Sequence, residues 1–199
     1  SMTSTSHDAM KSIKIYGHVS ATPENFAQLL GGTASSEVDP ECDAAIFSIN
    51  PSAGIDAQTI ELWHGFDELQ TPRMVIVTVL DGMEMDFDDA VLIGNRVFDP
   101  LVTPYLVLHG ENGSPIGTIS LEDLSTRDYS TNPPTIGESD SELRELVADF
   151  QEEYREQMVE MEEGAFAAGI LFPAIPVNSA NGMGLDIVQD FLKQLPSGS

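Results

Sequence analysis

The chain has 199 residues, with 33 Asp and Glu against 8 Lys and Arg, a formal net charge of −25. That length suffices for one α/β domain with an insertion, and the charge argues against nucleic-acid or membrane binding and for a basic protein partner. No apolar run reaches the ~18 residues of a membrane span. The single cysteine, Cys42, rules out an internal disulfide, so a reducing, cytoplasmic setting is expected.

In chain order, residues 1–10 ("SMTSTSHDAM") are polar and patternless and read as a disordered tail. Residues 12–16 read as a short strand. A helix follows from Pro23 to Leu30, with Thr22 as N-cap, Phe26, Leu29 and Leu30 on one face, and Gly31-Gly32 as its stop. After a polar connection (33–43), "AAIFSIN" (44–50) has a buried-strand pattern. A helix over about 56–69 carries Ile60, Trp63 and Phe66, which are most simply core. "RMVIVTVL" (73–80) is apolar on both faces, as in a parallel sheet covered by helices.

A third helix spans 85–98, capped by Asp86; that cap accounts for "DGMEMDFDD" (81–89) better than a cation loop does. Residues 104–109 and 115–121 read as a hairpin over "ENGS", and 125–139, rich in Ser, Thr, Pro and Gly, as a loop. A long acidic helix is expected over 140–163, with Leu143, Leu146, Val147, Phe150, Tyr154 and Met161 as its apolar stripe. A strand (172–180) and a helix (183–194) close the chain. Alternating strands and helices imply a doubly wound core at 11–98 and 172–196, interrupted by an α+β insertion at 99–171.

This order of elements, with "CDAAIFSINPSAGIDAQTIELWHGFDELQTPRMVIVTVLD" (42–81) and "PVNSANGMGLDIVQDFLKQLPS" (176–197), resembles the G domain of elongation factor G with its inserted subdomain. "IYGHVSATPENFAQLL" (15–30) aligns with the family's first strand, phosphate loop and first helix. The resemblance implies a P-loop GTPase-like fold with a mostly parallel sheet. The gap at 31–43 is too short for the two strands that precede the fourth in the family, so the sheet is expected to lack them.

A working phosphate loop needs glycines that turn backbone N–H groups inward, a Lys on the phosphates and a Ser or Thr on Mg²⁺. By the resemblance, Gly17 and His18 are kept, while the second glycine has become Thr22, the lysine Pro23 and the hydroxyl residue Glu24. Pro23 lacks an N–H, and the Glu24 charge opposes a triphosphate by roughly 1–4 kcal/mol. The family's Asp-x-x-Gly-His element is also absent from 31–43. Of the base-recognition residues, Thr78 and Asp81 match [NT]-K-x-D, but Val79 replaces its lysine; Ser179 and Ala180 match the Ser-Ala motif. The simpler reading, that Asp81 caps a strand end and Ser179 starts a turn, is preferred for both.

The leading expectation is a pseudo-GTPase, not an enzyme, with no cofactor and no metal, acting as a protein-interaction module. In the family the inserted subdomain is where the ribosomal stalk protein docks through a basic face. The acidic helix would offer Glu142, Glu145, Asp149, Glu152, Glu153 and Glu156 to such a partner. An ordinary solvated helix is the simpler reading of the same charges. The alternative function is a weak guanine-nucleotide sensor without hydrolysis. No paired acid and base supports a different enzyme. Cys42 is expected to be a buried structural thiol. Lys11 and Lys14 beside 12–16 suggest an exposed, guarded sheet edge and a monomer.

Overall fold

A computed structural model gives the structure of residues 11–81 and 86–196; residues 1–10, where a disordered tail is expected, and residues 82–85 and 197–199 lie outside the described residues. The core is a five-stranded parallel sheet. Its strands are β1 (Ile13–Tyr16), β2 (Thr33–Ala34), β3 (Ala44–Ile49), β4 (Arg73–Thr78) and, after the insertion, β9 (Ala174–Val177), in the order β2-β1-β3-β4-β9. Alternation along the strands divides the core in two. Ile13, Ile15, Ile46, Met74 and Ile76 face one way, onto α1 (Pro23–Leu30) and the last helix, α5 (Leu185–Leu192). Tyr16, Phe47, Val75 and Val77 face the other, onto α2 (Ala57–His64) and α3 (Phe87–Val97). On that side Trp63 stacks on Phe98 at 4.5 Å and meets Phe47 edge-on at 5.0 Å. Aromatic burial of this kind anchors helices to a sheet.

The insertion holds β5 (Tyr105–His109), β6 (Pro115–Ser120), β7 (Ser125–Asp128), β8 (Thr135–Glu138) and the long helix α4 (Ser141–Met158). The four strands form an antiparallel sheet in sequence order. Its entry and exit adjoin: Val102 N–H donates to the Phe172 carbonyl (2.9 Å), and Ala174 N–H to the Val102 carbonyl (2.8 Å). Arg127 and Tyr129 then fasten this sheet to α5, both donating to Asp186, at 2.5 and 2.6 Å. No helix among the described residues is long and apolar enough to cross a membrane.

Three expectations are corrected. Residues 125–139 are not a loop but contain β7 and β8. Every β8 side chain is exposed and β7 is only half-buried, so neither strand shows apolar alternation; backbone pairing carries them. Residues 12–16 are not a sheet edge, because β2 pairs with β1 in parallel, Lys14 opposite Thr33 and Ile15 opposite Ala34. A two-residue strand has no periodicity to read. The two lysines serve elsewhere: Lys11 Nζ donates to the Leu192 carbonyl (2.7 Å) and Lys14 lies 3.8 Å from Asp39. Finally, α4 ends at Met158 and its buried stripe is narrower than expected. Leu143, Val147 and Tyr154 pack toward Ile119 and Leu121, whereas Leu146 and Phe150 are 70% and 46% exposed.

Candidate functional site

The turn from β1 to α1 is closed on itself. Gly17 runs beside the tip of β3, and a Cβ there would lie 2.6 Å from the Ser48 carbonyl oxygen. His18 caps a single 3₁₀ turn at Val19–Ala21, its Nδ1 accepting from Ser20 N–H at 3.1 Å. The N–H groups of Ala21 and Thr22 donate to the carbonyls of His18 (2.9 Å) and Val19 (3.1 Å). From β3, Ser48 Oγ donates to the Ala21 carbonyl (2.7 Å) and Asn50 Nδ2 to the Ser20 carbonyl (3.1 Å). Thr22 sits in the left-handed region (φ +48°) at the start of α1, with no side-chain cap bond; Pro23 follows, and Glu24 is the acidic residue of the first helical turn. Glutamate there complements the helix dipole where an anion would otherwise sit.

The base-motif residues are also engaged in the fold. Asp81 accepts from Ser114 Oγ (3.0 Å) in the β5–β6 turn. Ala180 N–H donates to Asn178 Oδ1 (2.8 Å), and Asn178 Nδ2 donates across to the Val79 carbonyl (2.8 Å). Thr78 is half-buried at the end of β4, and Ser179 and Ala180 are exposed. Asn178, like Ser48 and Asn50, escaped the sequence reading. The available signal was a polar residue within or ending an otherwise apolar strand, where it must find buried partners. Gly184, in the turn after it, has φ +78°, and a Cβ there would lie 1.9 Å from the Pro176 carbonyl oxygen. Beside Ser179 and Ala180 an open groove of about 590 Å³ is closed on its far side by Tyr129, Thr131 and Asn132 of the β7–β8 turn.

The six acidic residues expected on α4 (Glu142, Glu145, Asp149, Glu152, Glu153 and Glu156) are all exposed, and none of them forms an ion pair among the described residues. Between α3 and α4 lies a cleft of about 260 Å³, with Leu92, Leu106 and Phe150 on its walls and Asp88 and Glu153 at its rim. Burial, then the charges of Asp86 and Asp89, raises the Asp88 carboxyl above its ordinary pKa. Asp86 does cap α3, in a reciprocal box with Asp89 (3.0 and 3.1 Å). Cys42 is buried; burial and the charges of Asp39 and Asp43 push its thiol up to about 12.

No family model matches the chain. It is similar to the elongation factor G-like protein of Mycobacterium tuberculosis, in strains CDC 1551 and H37Rv, with 27% identity over 177 residues, covering 78% of this chain and 24% of that protein. Its fold matches a crystal structure of a Thermus thermophilus protein with a TM-score of 0.67 at 25% identity, covering 79% of this chain and 27% of that one. The chain thus spans about a quarter of the length of these relatives. The resemblance read from 42–81 and 176–197 is borne out: over most of its length the chain is similar in sequence to an elongation factor G-like protein, and its fold is a parallel α/β core with a separate antiparallel sheet.

Proposed function

We propose that this chain is a non-catalytic elongation factor G-like G domain that works as an interaction module for a basic protein, the ribosomal stalk protein being the partner the resemblance points to. The observation that carries the loss of catalysis is the closed turn after β1. The N–H groups of Ser20, Ala21 and Thr22 are all spent inside it, and Pro23 has none, so four successive positions of the turn offer a phosphate no free backbone donor. The exposed face of α4 supports the partner reading. It sets Leu146 and Phe150 among unpaired carboxylates, an apolar anchor in a negative field.

Calorimetry at low salt against the stalk protein's C-terminal domain tests this. Binding that weakens steeply with added salt, and that falls in a Phe150→Ser, Glu153→Lys variant, is expected. Absence of binding to the stalk domain would remove that partner. A second reading, weak guanine-nucleotide binding without hydrolysis, is favoured by the groove beside Ser179 and Ala180. Thermal-shift measurements with GDP and Mg²⁺ and with guanosine separate the two. No shift is expected, and a rise of several degrees with GDP would establish the sensor instead.

A further inference from the structure

The C-terminal ends of α2 and α3 meet at a mixed nitrogen and oxygen cluster away from the turn after β1. His64, the last residue of α2, has Nε2 at 2.8 Å from the Val97 carbonyl oxygen at the end of α3. A carbonyl only accepts, so Nε2 carries the hydrogen. The other ring nitrogen, Nδ1, lies 2.9 Å from Asp67 Oδ2. A carboxylate oxygen of Asp99 completes the trio, and the three ligand atoms all lie within 4.8 Å of one another.

We propose that His64 Nδ1, Asp67 and Asp99 hold a divalent transition-metal cation of the zinc class. Ligand atoms about 2.1 Å from a tetrahedral ion stand about 3.4 Å apart, inside the spread seen here. One imidazole with two carboxylates suits such an ion better than magnesium or calcium, which prefer all-oxygen shells. Each ligand is also aimed by a partner outside the trio, as metal ligands usually are. The Val97 carbonyl orients the imidazole. Arg73 Nη1 donates to Asp67 Oδ1 (2.8 Å), and that guanidinium is itself packed against the rings of Trp63 and Phe172, at 4.9 and 4.8 Å from their centroids. Trp63 Nε1 donates to Asp99 Oδ2 (2.7 Å). The side chains of His64 and Asp67 are 41% and 47% exposed, which leaves an entry path and room for water on the open positions. The ion would tie the ends of α2 and α3 together.

Trp63 supplies the readout. It is the chain's one tryptophan and is fully buried, so an ion in bulk solvent cannot collide with it, whereas one in the trio would sit beside Asp99 and the indole. Chelator-stripped protein is titrated with Co²⁺ at neutral pH while its fluorescence is followed. The expected result is saturable quenching, reversed by Zn²⁺, with the half-saturation concentration raised at least about tenfold in both His64→Gln and Asp99→Asn. Asparagine keeps an oxygen acceptor for Trp63, so Asp99→Asn removes ligand charge without removing that bond. Should a variant unfold, diethyl pyrocarbonate mapping of the native chain decides, with Zn²⁺ expected to protect His64 but not His18 or His109. Absence of saturable quenching up to millimolar Co²⁺, equal quenching in the folded variants, or no protection of His64 would overturn the proposal and leave the trio as an imidazolium–carboxylate contact.

Discussion

Backbone geometry alone requires glycine at position 17. Its φ of +154° and the 2.6 Å approach of a Cβ to the Ser48 carbonyl exclude a side chain whether or not phosphate binds. Gly17→Ala should therefore cost about 1–3 kcal/mol of stability through backbone strain, read as a lower urea midpoint with an unchanged slope. A neutral result would mean the turn is free to shift away from β3. Cys42 gives a pH test. Its thiol is raised to about 12 in the fold, against about 8.5 in an unfolded chain. The folded state thus favours the neutral thiol. The resulting stability is fully present below the unfolded value and is lost as pH rises from there toward the folded one. Native protein at pH 8.5 should react slowly with iodoacetamide and rapidly in urea; fast native labelling would show an accessible thiolate.

At the level of elements, the insertion is held by more than its own sheet. Asp186 on α5 receives Arg127 and Tyr129 from β7 and the residue after it, and Arg127 also stacks on Tyr105 at 5.4 Å. Burial, followed by the hydrogen bond to Asp186, raises the Tyr129 phenol well above its ordinary pKa, so it remains a donor at neutral pH. Asp186→Ala leaves the buried Tyr129 hydroxyl and the half-buried Arg127 guanidinium without their shared acceptor and should cost about 1–3 kcal/mol. Arg127→Ala in the same background should add less than it does alone, because the two substitutions share one network. Additive losses in a double-mutant cycle would show that the clasp is not a unit. Partial proteolysis should quicken in the β7–β8 turn of Asp186→Ala if the contact anchors that turn to the core.

For the molecule as a whole, a net charge of −25 means that the compact state brings many carboxylates together. Raising NaCl from low millimolar to about 0.3 M shortens the screening length below about 8 Å and should raise Tm by several degrees. If the proposed basic partner binds, the same salt should weaken its capture, so stability and affinity are expected to move in opposite directions. A Tm that stays flat would mean that the acidic surface is not under mutual repulsion at working salt.

Residue order alone was enough for four of the five strands of the parallel core, because unbroken apolar runs such as 44–49 and 73–78 mark strands buried on both faces, and the amphipathic period of 185–192 marks a covering helix. It also carries the proposal that phosphate binding is lost, since Pro23 offers no N–H and Glu24 adds a negative charge at the start of α1. Strands β2, β7 and β8 emerged only in three dimensions, for they are short or exposed and held by backbone pairing that leaves no apolar pattern. The same holds for the bond from Asn178 to Val79 and for the approach of Asp99 to His64 and Asp67. These contacts join residues far apart in the chain, and local periodicity carries no record of which strand or helix end will lie beside which.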